Sequence, residues 1–150
     1  LYFCDTMVFL FNIIIFMNLN KHALINKPVH EIFVLNERLP SFINDKVEIK
    51  CTYSVKQPTD FYELSLMTAS VLPIICQRCL EVFSYDYHNQ TQLAICQNIQ
   101  KAQDLMAEYE VILSETGHIN LPDILIDELY LWAPDKHLNL NECQTHKSTV

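Results

Sequence analysis

Ile74-Ile75-Cys76-Gln77-Arg78-Cys79-Leu80-Glu81-Val82-Phe83 places two thiols three positions apart between two apolar segments. Thiols at that spacing converge on one point only when the chain between them turns tightly. That geometry suits a metal ion or a redox disulfide better than it suits core packing. A thioredoxin-type pair opens a helix, whereas Phe83-Ser84-Tyr85-Asp86-Tyr87 alternates apolar and polar like a strand. The segment therefore reads as a strand–turn–strand knuckle, the usual home of half of a structural zinc site.

Working outward, residues 61–68 and 71–76 read as two strands or one bent strand, with Pro73 implying an edge or a bulge. Beyond the knuckle, 82–88 and 91–97 read as a strand or as a hairpin around His88-Asn89-Gln90. Val47-Glu48-Ile49-Lys50-Cys51-Thr52-Tyr53-Ser54-Val55 alternates strictly and is the clearest half-buried strand. Upstream of it, Pro28 followed by Val29, Ile32, Phe33 and Leu35 predicts a short helix with Pro in its first turn, ending before Pro40. Residues 98–106 are polar and read as a loop or one helical turn. Residues 109–113 read as a last short strand, and Glu115-Thr116-Gly117-His118 as a turn.

Asn120 then caps a helix from Leu121 to Trp132, with Pro122 in its first turn and Asp123 near a capping-box position. Leu121, Ile124, Leu125, Leu129 and Trp132 form its expected buried stripe, with Asp127 and Glu128 on the opposite side. Pro134 stops it. The expected architecture is α+β: a single domain with a meandering antiparallel β-sheet flanked by an N-terminal and a C-terminal helix.

The 150 residues are 50% hydrophobic and 19% charged, enough apolar material for one core and too little charge for a disordered chain. The net charge of −8 is lopsided. Residues 1–56 hold six basic and five acidic side chains, and residues 57–150 hold four and thirteen. An acidic half repels a phosphate backbone, which disfavours broad docking on naked RNA or DNA and favours a basic protein partner. The single glycine, Gly117, excludes a Gly-rich phosphate loop, a dinucleotide fingerprint and a Gly-x-Ser-x-Gly elbow. His22, His30, His88 and His118 have no carboxylate or nucleophile at a telling interval, so no catalytic constellation is legible. The tyrosines and Trp132 fit packing better than a base-stacking face.

Residues 1–16 contain the run Met7-Val8-Phe9-Leu10-Phe11-Asn12-Ile13-Ile14-Ile15-Phe16. Its apolar core is short of the roughly 20 residues of a membrane span, and it has neither the positive leader nor the cleavage site of a signal peptide. With Met17 following, 1–16 reads as a non-native leader from an upstream start, with a short membrane anchor as the alternative, 17–143 as the domain, and 144–150 as a polar tail. A cytoplasmic location follows, where cysteines stay reduced. Cys51 and Cys96, inside apolar strand patterns, read as small core residues.

The block Cys76-Gln77-Arg78-Cys79-Leu80-Glu81 with Phe83 is followed by Gly117-His118-Ile119-Asn120-Leu121-Pro122-Asp123-Ile124-Leu125-Ile126-Asp127-Glu128-Leu129, then Trp132-Ala133-Pro134, His137 and Cys143. In this order and spacing, residues 19–143 resemble the YceD family, the large ribosomal RNA subunit accumulation proteins of bacteria and plastids. The resemblance implies a non-enzymatic role in the synthesis, processing or stability of large-subunit (23S) ribosomal RNA. It also implies a partner in the large-subunit precursor or in a basic large-subunit protein, a small zinc-ribbon protein being one candidate. No membrane and no small-molecule substrate are expected.

The residues themselves offer a zinc site of Cys76, Cys79, His137 and Cys143, with His146 competing for the nitrogen position; a bare reduced knuckle or a redox-sensing dithiol without a ribosomal role are the alternatives. Arg78, at the tip of the turn, is a candidate for phosphate contact, for lowering thiol pKa values, or for an ion pair with Glu81. Asp123, Asp127 and Glu128 are candidates for contact with a basic partner.

Overall fold

A computed structural model describes residues 16–143; residues 1–15 of the expected leader, the tail over 144–150 and His146 lie outside the described residues, while Phe16, the last residue of that expected leader, pairs with Asn120. The chain enters through β1 (Phe16–Asn18) and α1 (Leu19–Ile25), then forms β2 (Val29–Leu35), β3 (Val47–Lys56), β4 (Tyr62–Ile75) and β5 (Val82–Cys96). After α2 (Ile99–Leu105) come β6 (Glu110–Leu113), β7 (His118–Asn120), α3 (Leu121–Trp132) and a short 3₁₀ turn, Leu140–Glu142. One five-stranded sheet runs in the order β2-β3-β4-β5-β6, and β1 pairs with β7 in a separate ribbon. The domain is α+β, with helices flanking a mostly antiparallel sheet.

The alternation in β3 does what the sequence predicts. Val47, Ile49, Cys51, Tyr53 and Val55 are buried, while Glu48 and Lys50 face solvent. On β4, Leu64, Leu66, Leu72 and Ile74 continue the same face, and α3 covers it with Leu121, Ile124, Leu125 and Leu129. Near the C-terminal end of β5 both faces are used: Ala94 and Cys96 pack on the outer side against Phe61 and Ala102 of α2. That double burial accompanies the parallel β5–β6 pairing, since α2 is the crossover between the two strands. The sheet is therefore a four-strand antiparallel meander with one parallel addition. The stretch expected as a loop or single turn is the crossover helix, capped by the Asn98 side chain at 2.8 Å from the Lys101 N–H.

The helix expected after Pro28 is instead the edge strand β2. It pairs antiparallel from Val29↔Tyr53 to Leu35↔Val47. Its outer-face Ile32 and Val34 are 61% and 55% exposed. These two apolar residues break the polar–apolar alternation and imitate helical spacing. The N-terminal helix lies one segment earlier, in α1, capped by Asn18 and closed by Asn26 in the left-handed conformation (φ 50). The alternatives of paired short strands give way to two long ones: Tyr62–Ile75 is one strand, and His88-Asn89-Gln90 continues β5 opposite Ala69, Thr68 and Met67. Pro73 is accommodated because its carbonyl accepts from the Asn44 N–H at 2.8 Å. Its nitrogen therefore faces 42–44 and breaks no bond to β5.

The C-terminal helix matches its expected bounds, with the Asn120 side chain 3.3 Å from the Asp123 N–H. Two residues depart from the expected pattern. Glu128 is buried rather than solvated; its carboxylate accepts from Asn89 Nδ2 and Thr91 Oγ1 of β5, each at 2.7 Å. Trp132 is 60% exposed, because it lies in the last turn before Ala133 leaves the helix in an extended conformation (ψ 135). Gly117 (φ 72) supplies the left-handed residue of the turn before β7, where a Cβ would meet Gln97 Nε2 at 3.1 Å.

Leu129 is fully buried and Leu131 is 60% exposed. Leu129→Ala should cost about 2–5 kcal/mol, read as a fall of roughly 2–4 °C in Tm per kcal/mol. Leu131→Ala should stay within about 0.5 kcal/mol of wild type. Thermal melts followed by circular dichroism check both.

Candidate metal centre

The turn between β4 and β5 is built for convergence. The Cys76 N–H donates to the Glu81 carbonyl at 3.0 Å and the Leu80 N–H to the Cys76 carbonyl at 2.8 Å, so the chain reverses within the pair. Leu80 completes the reversal in the left-handed region at φ 64. A side chain there costs roughly 1–2 kcal/mol, which glycine would avoid. After α3, the chain returns to the knuckle: the Gln77 N–H donates to the Asp135 carbonyl at 2.9 Å, and the Arg78 guanidinium donates to the His137 carbonyl. The 3₁₀ turn, closed by the Cys143 N–H on the Leu140 carbonyl at 3.1 Å, delivers the last thiol.

Cys76, Cys79, His137 and Cys143 are all buried, and their donor atoms lie within 4.8 Å of one another. Cys76 Sγ is 3.8 Å from Cys143 Sγ, and His137 Nδ1 is 3.6 Å from Cys79 Sγ and 3.5 Å from Cys143 Sγ. A tetrahedral ion of zinc's size needs sulfur–sulfur edges of about 3.8 Å and sulfur–nitrogen edges of about 3.5 Å. The three distances match three of the six edges of such a coordination tetrahedron, and every other pair of donor atoms lies within 4.8 Å, whereas thiols packed as ordinary core have no reason to gather around one ring nitrogen. The residues fit a metal ion.

The surroundings orient the ligands. Phe83 stacks on the His137 ring with centroids 4.2 Å apart, and the His137 N–H points at Cys76 Sγ from 3.4 Å. Burial raises the Cys76 thiol, but amide donors from Cys79, His137 and Arg78, together with the His137 side chain, more than offset it and bring the thiol down to about 5. Cys143 is moved the other way, above its ordinary value, by burial and by the sulfurs of Cys76 and Cys79.

All four sequence-predicted ligands are therefore brought together. The candidate partner-binding residues are scattered. Arg78 is exposed at the knuckle, but its guanidinium is engaged by the His137 carbonyl rather than by Glu81. Asp123 pairs with Arg38, Asp127 is exposed on the helix, and Glu128 is buried where no partner reaches it. Of the aromatics, Tyr53, Tyr62 and Tyr87 are core residues, while Tyr130 and Trp132 are exposed near the end of α3. Sequence reasoning missed the Glu128–Asn89–Thr91 cluster and the Phe83 stack; only the position of Phe83 four residues after Cys79 hinted at the latter. No family model, curated protein or solved structure matches the chain.

The metal-free reduced protein should show one thiolate at neutral pH that disappears through about pH 5, tracked by absorbance near 240 nm. Because the folded pKa is depressed, this thiolate stabilises the metal-free fold above the thiol's ordinary value of 9.0, and that contribution is lost as pH falls through about 5. Cys76→Ser should abolish the step; an unchanged titration would refute the assignment.

Proposed function

We propose that this chain is a zinc-clamped, non-enzymatic binding module that acts in the cytoplasm on large-subunit ribosome assembly. The observation that carries the zinc reading is the buried Cys3His set with its tetrahedral edge lengths. Three thiols and one imidazole select zinc over the hard, oxygen-preferring cations. All four positions are filled by protein, which is the closed form of a structural site and leaves no open position for substrate. The ion would supply folding energy: it joins the β4–β5 turn to the segment after α3, a closure across more than fifty residues of chain.

The ribosomal assignment rests on the resemblance of the Cys76–Phe83 and Gly117–Leu129 blocks to the YceD family. It is supported by the acidic balance, since a chain of net charge −8 reaches a ribosome precursor more easily through a basic protein than through bare RNA. Among the described residues no helix is long and apolar enough to cross a membrane.

The purified protein should hold one zinc per chain by elemental analysis, lost in Cys76→Ser/Cys79→Ser, with a lower Tm after chelation. A reversible Cys76–Cys79 disulfide in a metal-free chain would instead favour the redox reading. Pull-downs at near-physiological salt should enrich large-subunit components with wild type and not with the double variant. Tight, salt-resistant binding to naked large-subunit RNA would overturn the protein-mediated route.

A further inference from the structure

The rim of the clamp carries side chains that the fold itself does not need. Leu80 is 72% exposed and sits at φ 64, where a side chain is strained. An exposed leucine gains nothing from burial, and glycine would relieve the backbone, so the residue is doubly unfavourable within the chain. Strain retained without internal benefit points outward, to something the side chain touches. Leu138 is 76% exposed, and Val82 and Leu140, each two residues along the chain from one of these leucines, are 53% and 50% exposed. Leu80 and Leu138 each follow a ligand directly, and those ligands, Cys79 and His137, have donor atoms 3.6 Å apart. The Arg78 bond to the His137 carbonyl ties the two sides into one rim.

We propose that this rim is a docking surface for a basic amphipathic helix of a partner protein, with Leu80 and Leu138 as its anchors. The proposal builds on the zinc-clamp reading, because the two leucines belong to segments distant in sequence that the ligand cluster joins. The basic character of the occupant follows from charge. Glu81, Asp135 and Glu142 are exposed around the leucines, and none has a cationic partner among the described residues. Among the described residues Arg78 and Lys136 are the cations beside these three carboxylates, so the rim stays net negative, within a half of the chain that holds four basic and thirteen acidic side chains. A helix with an apolar stripe between lysine or arginine rows places leucine-type side chains on the rim and cations over the carboxylates. A nucleic acid offers neither. The exposed apolar residues of the open sheet face differ: Met67 and Val71 lie opposite Gln90 and Asp86, the mixed pattern of a solvated antiparallel face.

The test uses the zinc-loaded full chain and a fluorescent helical peptide of about 14 residues built from leucine and lysine, with a leucine–glutamate peptide as counterpart. Anisotropy is read at about 0.15 M salt. The lysine peptide should bind and the glutamate peptide should not. Leu80→Gly should hold or raise Tm while weakening binding at least about tenfold. Leu80→Gly/Leu138→Ser should abolish binding, and Val71→Thr on the sheet face should leave it unchanged. Zinc content measured on every sample separates the two readings. A double variant that keeps its zinc and binds as tightly as wild type overturns the docking surface, as does equal binding of the glutamate peptide or no binding of either. Leucine-dependent binding by a chain that holds no zinc overturns the clamp and leaves the surface standing.

Discussion

The structure depends on one long hairpin that outreaches its own support. β4 and β5 pair from Tyr62↔Ile95 to Ile75↔Val82, but β3 accompanies β4 only as far as Ala69. From Val71 onward, β4 has β5 on one side and only the Ile43 bridge on the other. A two-stranded ribbon is marginal in water without additional packing. One face of this stretch is packed all the same, with Leu72 and Ile74 fully buried in the main core, and the Cys and His cluster sits just beyond Ile75, where the turn meets the chain that follows α3.

The protein buries polar atoms in two chemically different ways. At the tip, sulfurs and an imidazole gather around a point that a cation would neutralise. Midway along β5, Glu128 is buried at 3% exposure with neutral donors only, Asn89 and Thr91. Oε2 of that carboxylate accepts both bonds, which offsets part of the cost of burial and ties α3 to β5. Its charge is felt nearby: burial and Glu128 push the Tyr87 phenol up to about 12. Losing Asn89 would leave Oε2 with Thr91 as its donor, so helix α3 and strand β5 are bound to a common geometry through both side chains. α3 in turn aims the segment carrying His137 at the knuckle.

The proposed interaction surface lies away from where charge alone suggested it. The acidic residues of α3 are split among an ion pair with Arg38, a buried cluster and open solvent, so they present no continuous face. The exposed apolar side chains around the ligand set are a better-defined feature, held on backbone that several hydrogen bonds make rigid. Preorganised anchors lose little entropy on binding, whereas flexible carboxylates lose more and return less at a solvated surface.

Much of the protein was legible in the chain because it was encoded locally. The cap at Asn120, Pro122 in the first turn and the stop near Pro134 marked out α3, and the alternation of β3 needed no tertiary information. The ligand set was also visible, since cysteine and histidine have few reasons to recur in such an order. Long-range pairing determined the rest. Val29-His30-Glu31-Ile32-Phe33-Val34-Leu35 carries helical spacing, yet it is a strand because β3 offers an unpaired edge and the outer face leaves Ile32 and Val34 in water. Glu128 looked like a surface carboxylate until Asn89 and Thr91 met it from a strand almost forty residues away. Hydrogen-bond partners distant in sequence leave no periodic trace, and only the folded chain supplies them.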